Sequence, residues 1–84
     1  MTDLEYEIMD ELYFVISFND LQQKLSLEEM QLKLSLGNLL DLGYVKCFTN
    51  VSDEIPNEEI DFENNYRIYH YLASKEGLFA HNSK

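Results

Sequence analysis

The 84-residue sequence has few of the residues that interrupt or cross-link a chain: one proline, three glycines and one cysteine, Cys47. With 45% hydrophobic residues and so little proline and glycine, the composition excludes collagen-like and low-complexity chains and predicts a packed core. A lone cysteine forms no internal disulfide, whereas small secreted domains usually carry several. We therefore expect a cytoplasmic protein with a single domain over residues 1–84.

Positive charge is also scarce, with six Lys and Arg against sixteen Asp and Glu and a formal net charge of −10. Such a charge repels phosphate backbones and anionic membranes and favours basic or apolar partners. No apolar run approaches the roughly 18 residues of a membrane span, and the first residues are acidic where a signal peptide is basic. We expect no membrane association, and the charge disfavours nucleic acid without excluding it.

The spacings that catalysis and metal binding require are missing as well. There is no Gly-rich phosphate loop, nucleophile elbow or HExxH motif. His70 and His81 are far apart, and Cys47 stands at no recognisable zinc spacing from either. The carboxylates from Asp53 to Glu59 lack the alternating ligands and central glycine of an EF-hand. We expect no enzymatic activity, no cofactor and no bound metal.

Local signals predict the first elements. Thr2 and Glu5 form a capping box, and apolar residues at three- and four-residue spacing predict an amphipathic helix over residues 3–14. The β-branched and aromatic stretch over residues 15–18 favours a short strand.

Two further helices are predicted over residues 21–42. Asn19 or Asp20 can cap the first of them. Leucines at helical spacing indicate that the two helices meet at a tight corner near Leu27. Gly43 is expected to end the second helix, because glycine adopts the left-handed conformation without steric cost.

The sequence of the last third of the chain predicts two strands joined by a loop. Residues 44–48 are rich in β-formers, and residues 49–65 hold the only proline, six carboxylates and no basic residue, which predicts an exposed acidic connection. Residues 66–72 predict an antiparallel partner strand, and Ser74 can cap a short last helix. The alternation leaves the inward face of that strand open. The two candidate sets are Tyr69, Tyr71 and Ala73, or Ile68, His70 and Leu72.

The order helix, strand, helix, turn, helix, strand, loop, strand resembles a winged-helix domain. Residues 21–45 are similar, without gaps, to the helix-turn-helix pattern of many bacterial winged-helix regulators, and residues 71–77 resemble that family's junction between wing and last helix. The positions that match the motif are Leu21, Leu25, Leu27, Leu32, Leu36, Leu39, Gly43 and Val45. The resemblance implies an α+β winged helix-turn-helix with a three-helix core, a small antiparallel β-hairpin wing and a short C-terminal helix. A different small α+β arrangement is the alternative.

In winged-helix regulators the third helix enters the DNA major groove, where side chains contact base edges and phosphates. Over residues 28–38 this sequence offers carboxylates at the amino-terminal end, at Glu28 and Glu29, and apolar residues on the outward face, at Met30 and Leu34. The acidic connection would place carboxylates where wings normally carry Lys or Arg. These features disfavour DNA, and fold resemblance does not carry function by itself.

Our first hypothesis is therefore a small cytoplasmic winged-helix module that binds protein, as a homodimer or as a regulatory or adaptor subunit. An exposed apolar pair on a helix often marks an interface; the alternatives are that the pair packs under the N-terminal segment or the wing, or that the phase of the helix differs. The acidic connection either steers a basic segment of another protein or is a solvated loop. The candidate interface residues are Met30, Leu34, Tyr6, Tyr13, Tyr69, Asp53, Glu54, Glu58 and Glu59.

Two alternatives remain open. The first is a DNA-binding transcriptional regulator of the winged-helix class. Its contacts would be Gln31, Lys33 and Asn38 in the groove, and Lys24, Lys46 and Arg67 on phosphates. The second is an acidic DNA mimic that occupies the phosphate-binding surface of a basic protein.

Overall fold

The first helix, α1, spans Asp3–Asp10 in the computed structural model, which describes residues 1–83. The predicted capping box is confirmed: Thr2 Oγ1 accepts a hydrogen bond from the Glu5 N–H at 3.1 Å, and the Glu5 carboxylate accepts one from the Thr2 N–H at 2.8 Å. Two of the amide groups that a helix start leaves unpaired are thereby satisfied.

This helix is shorter than the predicted range 3–14. The Leu12 carbonyl accepts a hydrogen bond from the Ala73 N–H at 2.9 Å, so the chain is drawn away from helical geometry by a partner far along the sequence. The strand that follows, β1, contains only Ile16–Ser17.

The second helix, α2, spans Phe18–Leu25. Its N-cap is Ser17, whose side chain accepts a hydrogen bond from the Asp20 N–H at 3.1 Å, so the prediction of Asn19 or Asp20 as the cap is wrong by two or three positions. The helix ends at Ser26, which adopts the left-handed conformation at φ 53°.

The third helix, α3, spans Glu29–Asp41. Leu32, Leu36 and Leu39 are fully buried, as their spacing predicts. Gly43 follows the helix at φ 77°, a left-handed conformation in which a side chain would be strained. The predicted end of α3 is confirmed.

Three strands form one antiparallel sheet in the order β1-β3-β2, where β2 spans Val45–Phe48 and β3 spans His70–Ala73. Tyr71 on the central strand is opposite both Ile16 and Cys47. The predicted antiparallel pairing of the two longer strands is confirmed.

The strand predicted over residues 66–72 begins only at His70. A short helix, α4, spans Phe62–Asn65, and its carbonyls accept hydrogen bonds from the turn that follows, so that the chain becomes extended late. The last helix, α5, spans Lys75–Asn82 and has Ser74 as its N-cap, as predicted.

Of the two candidate inward faces around β3, the structure has the one formed by Tyr69, Tyr71 and Ala73. Tyr71 is fully buried, Tyr69 and Ala73 are 6% exposed, and Ile68 is 68% exposed. The core between the helices and the sheet is built from Ile8, Met9, Leu12, Phe18, Leu21, Leu32, Leu36, Leu39, Val45, Cys47, Ile55, Tyr66, Tyr69, Tyr71 and Ala73.

The acidic connection, residues 49–65, is more ordered than the predicted exposed loop. Ile55 is buried and donates its N–H to the Cys47 carbonyl at 2.8 Å, while Ile60 and Phe62 pack against the core. A 3₁₀ turn at Asn57–Glu59 lies between these anchors. The carboxylates are thus carried on a segment that is fixed to the protein by apolar side chains.

The chain is an α+β fold whose element order and sheet order are compatible with a winged helix. No helix within residues 1–83 has both the length and the apolar character needed to cross a bilayer. The fold places α3 and the acidic connection side by side.

Candidate interaction surface on the third helix

The outward face of α3 carries an apolar pair. Met30 is 53% exposed and Leu34, one turn later, is 66% exposed. The opposite face of α3 is buried in the core. The helix is therefore apolar on two faces, and the fold covers only one of them. The outward orientation that the sequence spacing predicts is therefore present.

A groove lies beside this pair, between α3 and the acidic connection. We call it the α3 groove. The residues that line it are Lys33, Leu34, Gly37, Asn38, Leu40, Asp41, Asn57, Ile60, Phe62 and Glu63. Its apolar lining comes from both walls, and the sequence alone did not indicate the contribution of the acidic connection.

Gly37 sets the distance between the two walls. A Cβ atom at this position would lie 3.2 Å from Cε2 of Phe62, so the missing side chain allows the aromatic ring to approach the helix. The Phe62 ring also lies 5.8 Å from that of Tyr66 and 6.4 Å from that of Tyr71, measured between ring centroids. These ring contacts hold Phe62, and with it the acidic connection, against the core beside α3.

Lys33, the lysine of the groove, is engaged within the molecule. Its Nζ atom lies 2.7 Å from Glu63 Oε2 and 5.0 Å from the centroid of the Tyr66 ring, and its side chain is only 18% exposed. The hydrogen bond to Glu63 raises the pKa of Lys33 above its ordinary value and outweighs the lowering effect of burial. Lys33 therefore stays charged but is already paired with a carboxylate.

Charges at the start of α3 are paired in the same way. The Tyr66 hydroxyl and the Arg67 Nε–H both donate to the Glu29 carboxylate. The bond from Tyr66, followed by that from Arg67, lowers the pKa of Glu29. Tyr66 thus lies between two cations, since the Arg67 guanidinium is 5.5 Å from the centroid of its ring.

Asn38 binds the first helix. Its Nδ2 donates to Glu5 Oε2 at 2.5 Å, and Glu5 is 4% exposed. Burial acts to raise the pKa of Glu5, but the hydrogen bonds from Asn38 and Thr2 and the nearby amino terminus together hold it below the ordinary value. The amide proposed for base contact under the DNA-binding alternative is exposed but already hydrogen-bonded to another residue of the same chain.

Among residues 1–83, the remaining cations do not gather into a free basic surface. Lys24 pairs with Glu11 at 3.2 Å, and Lys46 pairs with Glu54 at 3.6 Å. Four of the five Lys and Arg residues among residues 1–83 are therefore in ion pairs. Gln31, the last of the proposed DNA contacts, is exposed on α3.

The predicted interface tyrosines do not form one patch. Tyr69 is 6% exposed and its hydroxyl accepts a hydrogen bond from the Asp61 N–H at 3.0 Å, so it is a core residue and offers no surface for a partner. Tyr13 is 44% exposed, and its hydroxyl lies 3.0 Å from His81 Nδ1. The Tyr6 ring lies 5.8 Å from the His81 ring, so these two tyrosines attach α5 rather than lining the α3 groove.

The predicted interface carboxylates are all exposed but divide into two groups. Asp53 accepts a hydrogen bond from Asn50 Nδ2 at 2.8 Å in the turn after β2, next to Glu54. Glu58 and Glu59 lie in the 3₁₀ turn that contributes Asn57 to the groove. Only the second group is adjacent to α3.

No group of three or more His, Cys, Asp or Glu side chains is placed to hold a metal ion in the part of the chain that the structure describes. Cys47 is fully buried, and burial raises the pKa of its thiol to about 12. A thiol in this state is a poor nucleophile.

Comparison with known protein families, with curated proteins and with solved structures finds no match for the chain.

Proposed function

We propose that this chain is a winged-helix module that acts by binding protein, as a homodimer or as a regulatory or adaptor subunit, and not by contacting DNA directly. The observation that carries the proposal is the state of α3. Its outward face presents Met30 and Leu34 to solvent, while the cations beside that face are bound to carboxylates of the same chain.

An exposed apolar pair next to a groove is typical of protein interfaces, where a few apolar side chains at the centre of the contact supply most of the binding energy. Full burial of one leucine side chain contributes about 1.5–3 kcal/mol. Met30 is 53% exposed and Leu34 is 66% exposed in the free chain, so a partner that covers them gains part of this free energy without rearranging the core.

Charge argues against DNA. Affinity for a duplex depends on cations that neutralise phosphates and release counterions. Lys33 can leave Glu63 only by exposing that carboxylate to the same phosphates. Glu28 also lies at the amino-terminal end of α3, the end from which recognition helices contact base edges.

A titration of a fluorescently labelled random duplex at low salt separates the two functions, because electrostatic attraction is strongest there. We expect no change in anisotropy below tens of micromolar protein, a concentration within the range of about 10⁻⁶ to 10⁻⁴ M that is usual for non-specific dissociation constants. Tighter, salt-sensitive binding that the Lys33→Ala variant loses would support the DNA-binding alternative and contradict the proposal. The Lys75→Ala variant is the control for removal of one positive charge elsewhere.

A further inference from the structure

The α3 groove runs along the exposed side of α3. Leu34, Gly37 and Asp41 follow one another at three- and four-residue spacing along one wall, and Ile60 and Phe62 form the other. At 1.5 Å per residue, the stretch of α3 that lines the groove, from residue 33 to residue 41, is about 12 Å long, which is more than two helical turns. An amphipathic helix binds such a groove through apolar residues at three- and four-residue spacing.

The rim of the groove is anionic. Asp41 and Glu63 line it, and Glu58 and Glu59 are exposed in the adjoining 3₁₀ turn. Lys33, the only lysine among the lining residues, is paired with Glu63. A groove that combines the apolar side chains of Leu34, Leu40, Ile60 and Phe62 with neighbouring carboxylates is complementary to a ligand that is apolar on one face and basic at its edges.

Resting on the proposed function, we propose that the α3 groove binds a basic amphipathic segment of another protein, with its apolar stripe on Leu34 and Phe62 and its Lys or Arg side chains at Asp41, Glu58 and Glu59. A second copy of this chain fits less well. Each copy has a formal net charge of −10, and pairing two α3 grooves would bring two acidic rims together.

A second exposed apolar site provides a matched control. Phe79 on α5 is 72% exposed, close to the 66% of Leu34, and lies beside Tyr44, Lys75 and Glu76. This site has one cation and one carboxylate at its edge and shares no lining residue with the α3 groove. Leu34→Glu and Phe79→Glu therefore add the same charge to similarly exposed positions of different surfaces.

The experiment selects 16-residue peptides from a random phage library on the wild-type protein, with depletion on the bare support, and measures synthetic winners by fluorescence anisotropy. We expect the winners to carry a net positive charge with apolar residues at three- and four-residue spacing. Leu34→Glu should weaken their binding at least about tenfold, although its extra carboxylate favours a basic peptide, whereas Phe79→Glu should leave it within about twofold. Asp41→Lys should weaken it more than Glu76→Lys.

Other results overturn the inference. The basic-segment proposal is wrong if no peptide is enriched, if the winners carry no excess of Lys and Arg, or if Leu34→Glu and Phe79→Glu act alike. A dimer in sedimentation equilibrium that Leu34→Glu dissociates would assign the groove to a second copy, and the proposed function would survive. Duplex binding that requires Lys33 would remove the proposed function itself.

Discussion

Two glycines in helices, Gly37 and Gly77, are present for different steric reasons. A Cβ atom on Gly77 would lie 2.0 Å from the Tyr44 carbonyl oxygen and 2.9 Å from Cε of Met9, so the first turn of α5 packs directly on backbone. A Cβ atom on Gly37 would meet only the edge of the Phe62 ring at 3.2 Å, and a ring can move by a few tenths of an ångström. Neither requirement is visible in the sequence, because each depends on a residue from another element.

We expect Gly77→Ala to lower the free energy of unfolding by about 1–3 kcal/mol, the usual cost of overpacking. Gly37→Ala should change it by less than about 1 kcal/mol, because the higher helix propensity of alanine offsets the tight contact. Urea unfolding followed by circular dichroism measures both. Equal losses at the two sites would show that the Tyr44 carbonyl does not constrain α5.

Cys47 should be protected from alkylation in the native protein. Its thiol is fully buried and its pKa is raised to about 12, so almost no thiolate exists at pH 8. We expect iodoacetamide to modify it only when the protein unfolds, at a rate that increases through the urea transition. Because the folded pKa lies above the ordinary value of 9.0, the thiol also makes stability fall as the pH rises above about 9. Rapid alkylation without denaturant would contradict the position of Cys47 in the core.

At the scale of elements, the sequence predicts the structure correctly where it depends on residues that are close together in the chain. The capping box of α1, the Ser74 cap of α5 and the glycine after α3 were all predicted. The end of α1 was not, because it depends on a hydrogen bond that the Ala73 N–H on β3 donates to the Leu12 carbonyl. The sequence predicts a strand where the structure has a turn before His70, because the tyrosines and the isoleucine of this turn have strand propensity. The turn forms because these residues follow α4, which packs on α3 through Phe62.

The contact of α1 with α3 gives a prediction with a defined pH dependence. Asn38→Ala removes a hydrogen bond to the buried Glu5 carboxylate and should lower the free energy of unfolding by about 2 kcal/mol at pH 7, as is typical of hydrogen bonds to charged groups. The folded pKa of Glu5 is below the ordinary value of 4.5, so this stabilisation is present above that pH and is lost as the pH falls.

Urea unfolding of wild type and Asn38→Ala between pH 7 and pH 3 therefore should show two curves that converge in acid. Gln31→Ala, on the same helix and exposed, is the control and should follow the wild type. A difference that stays constant across this range would mean that Asn38 stabilises the fold by another route than the Glu5 carboxylate.

At the scale of the whole molecule, the sequence predicted an acidic chain with an outward apolar pair on α3, and both features are found together in the fold. It did not predict that the acidic connection packs along α3 and forms the second wall of a groove. That arrangement arises because Ile55, Ile60 and Phe62 are spaced through the carboxylates and reach the core, a pattern too irregular to read as a strand or helix. The same packing brings Glu63 close to Lys33. The lysine that the DNA-binding alternative places in the major groove is therefore paired with a carboxylate.

The most direct test of the central claim is a pair of titrations on uniformly ¹⁵N-labelled protein, one with a random DNA duplex at low salt and one with a peptide selected on the α3 groove. The account predicts that the peptide shifts the amide signals of Leu34, Gly37 and Ile60, and that the duplex at the same concentration shifts no signal of residues 28–38. Shifts along residues 28–38 with the duplex, and none with the peptide, would contradict it.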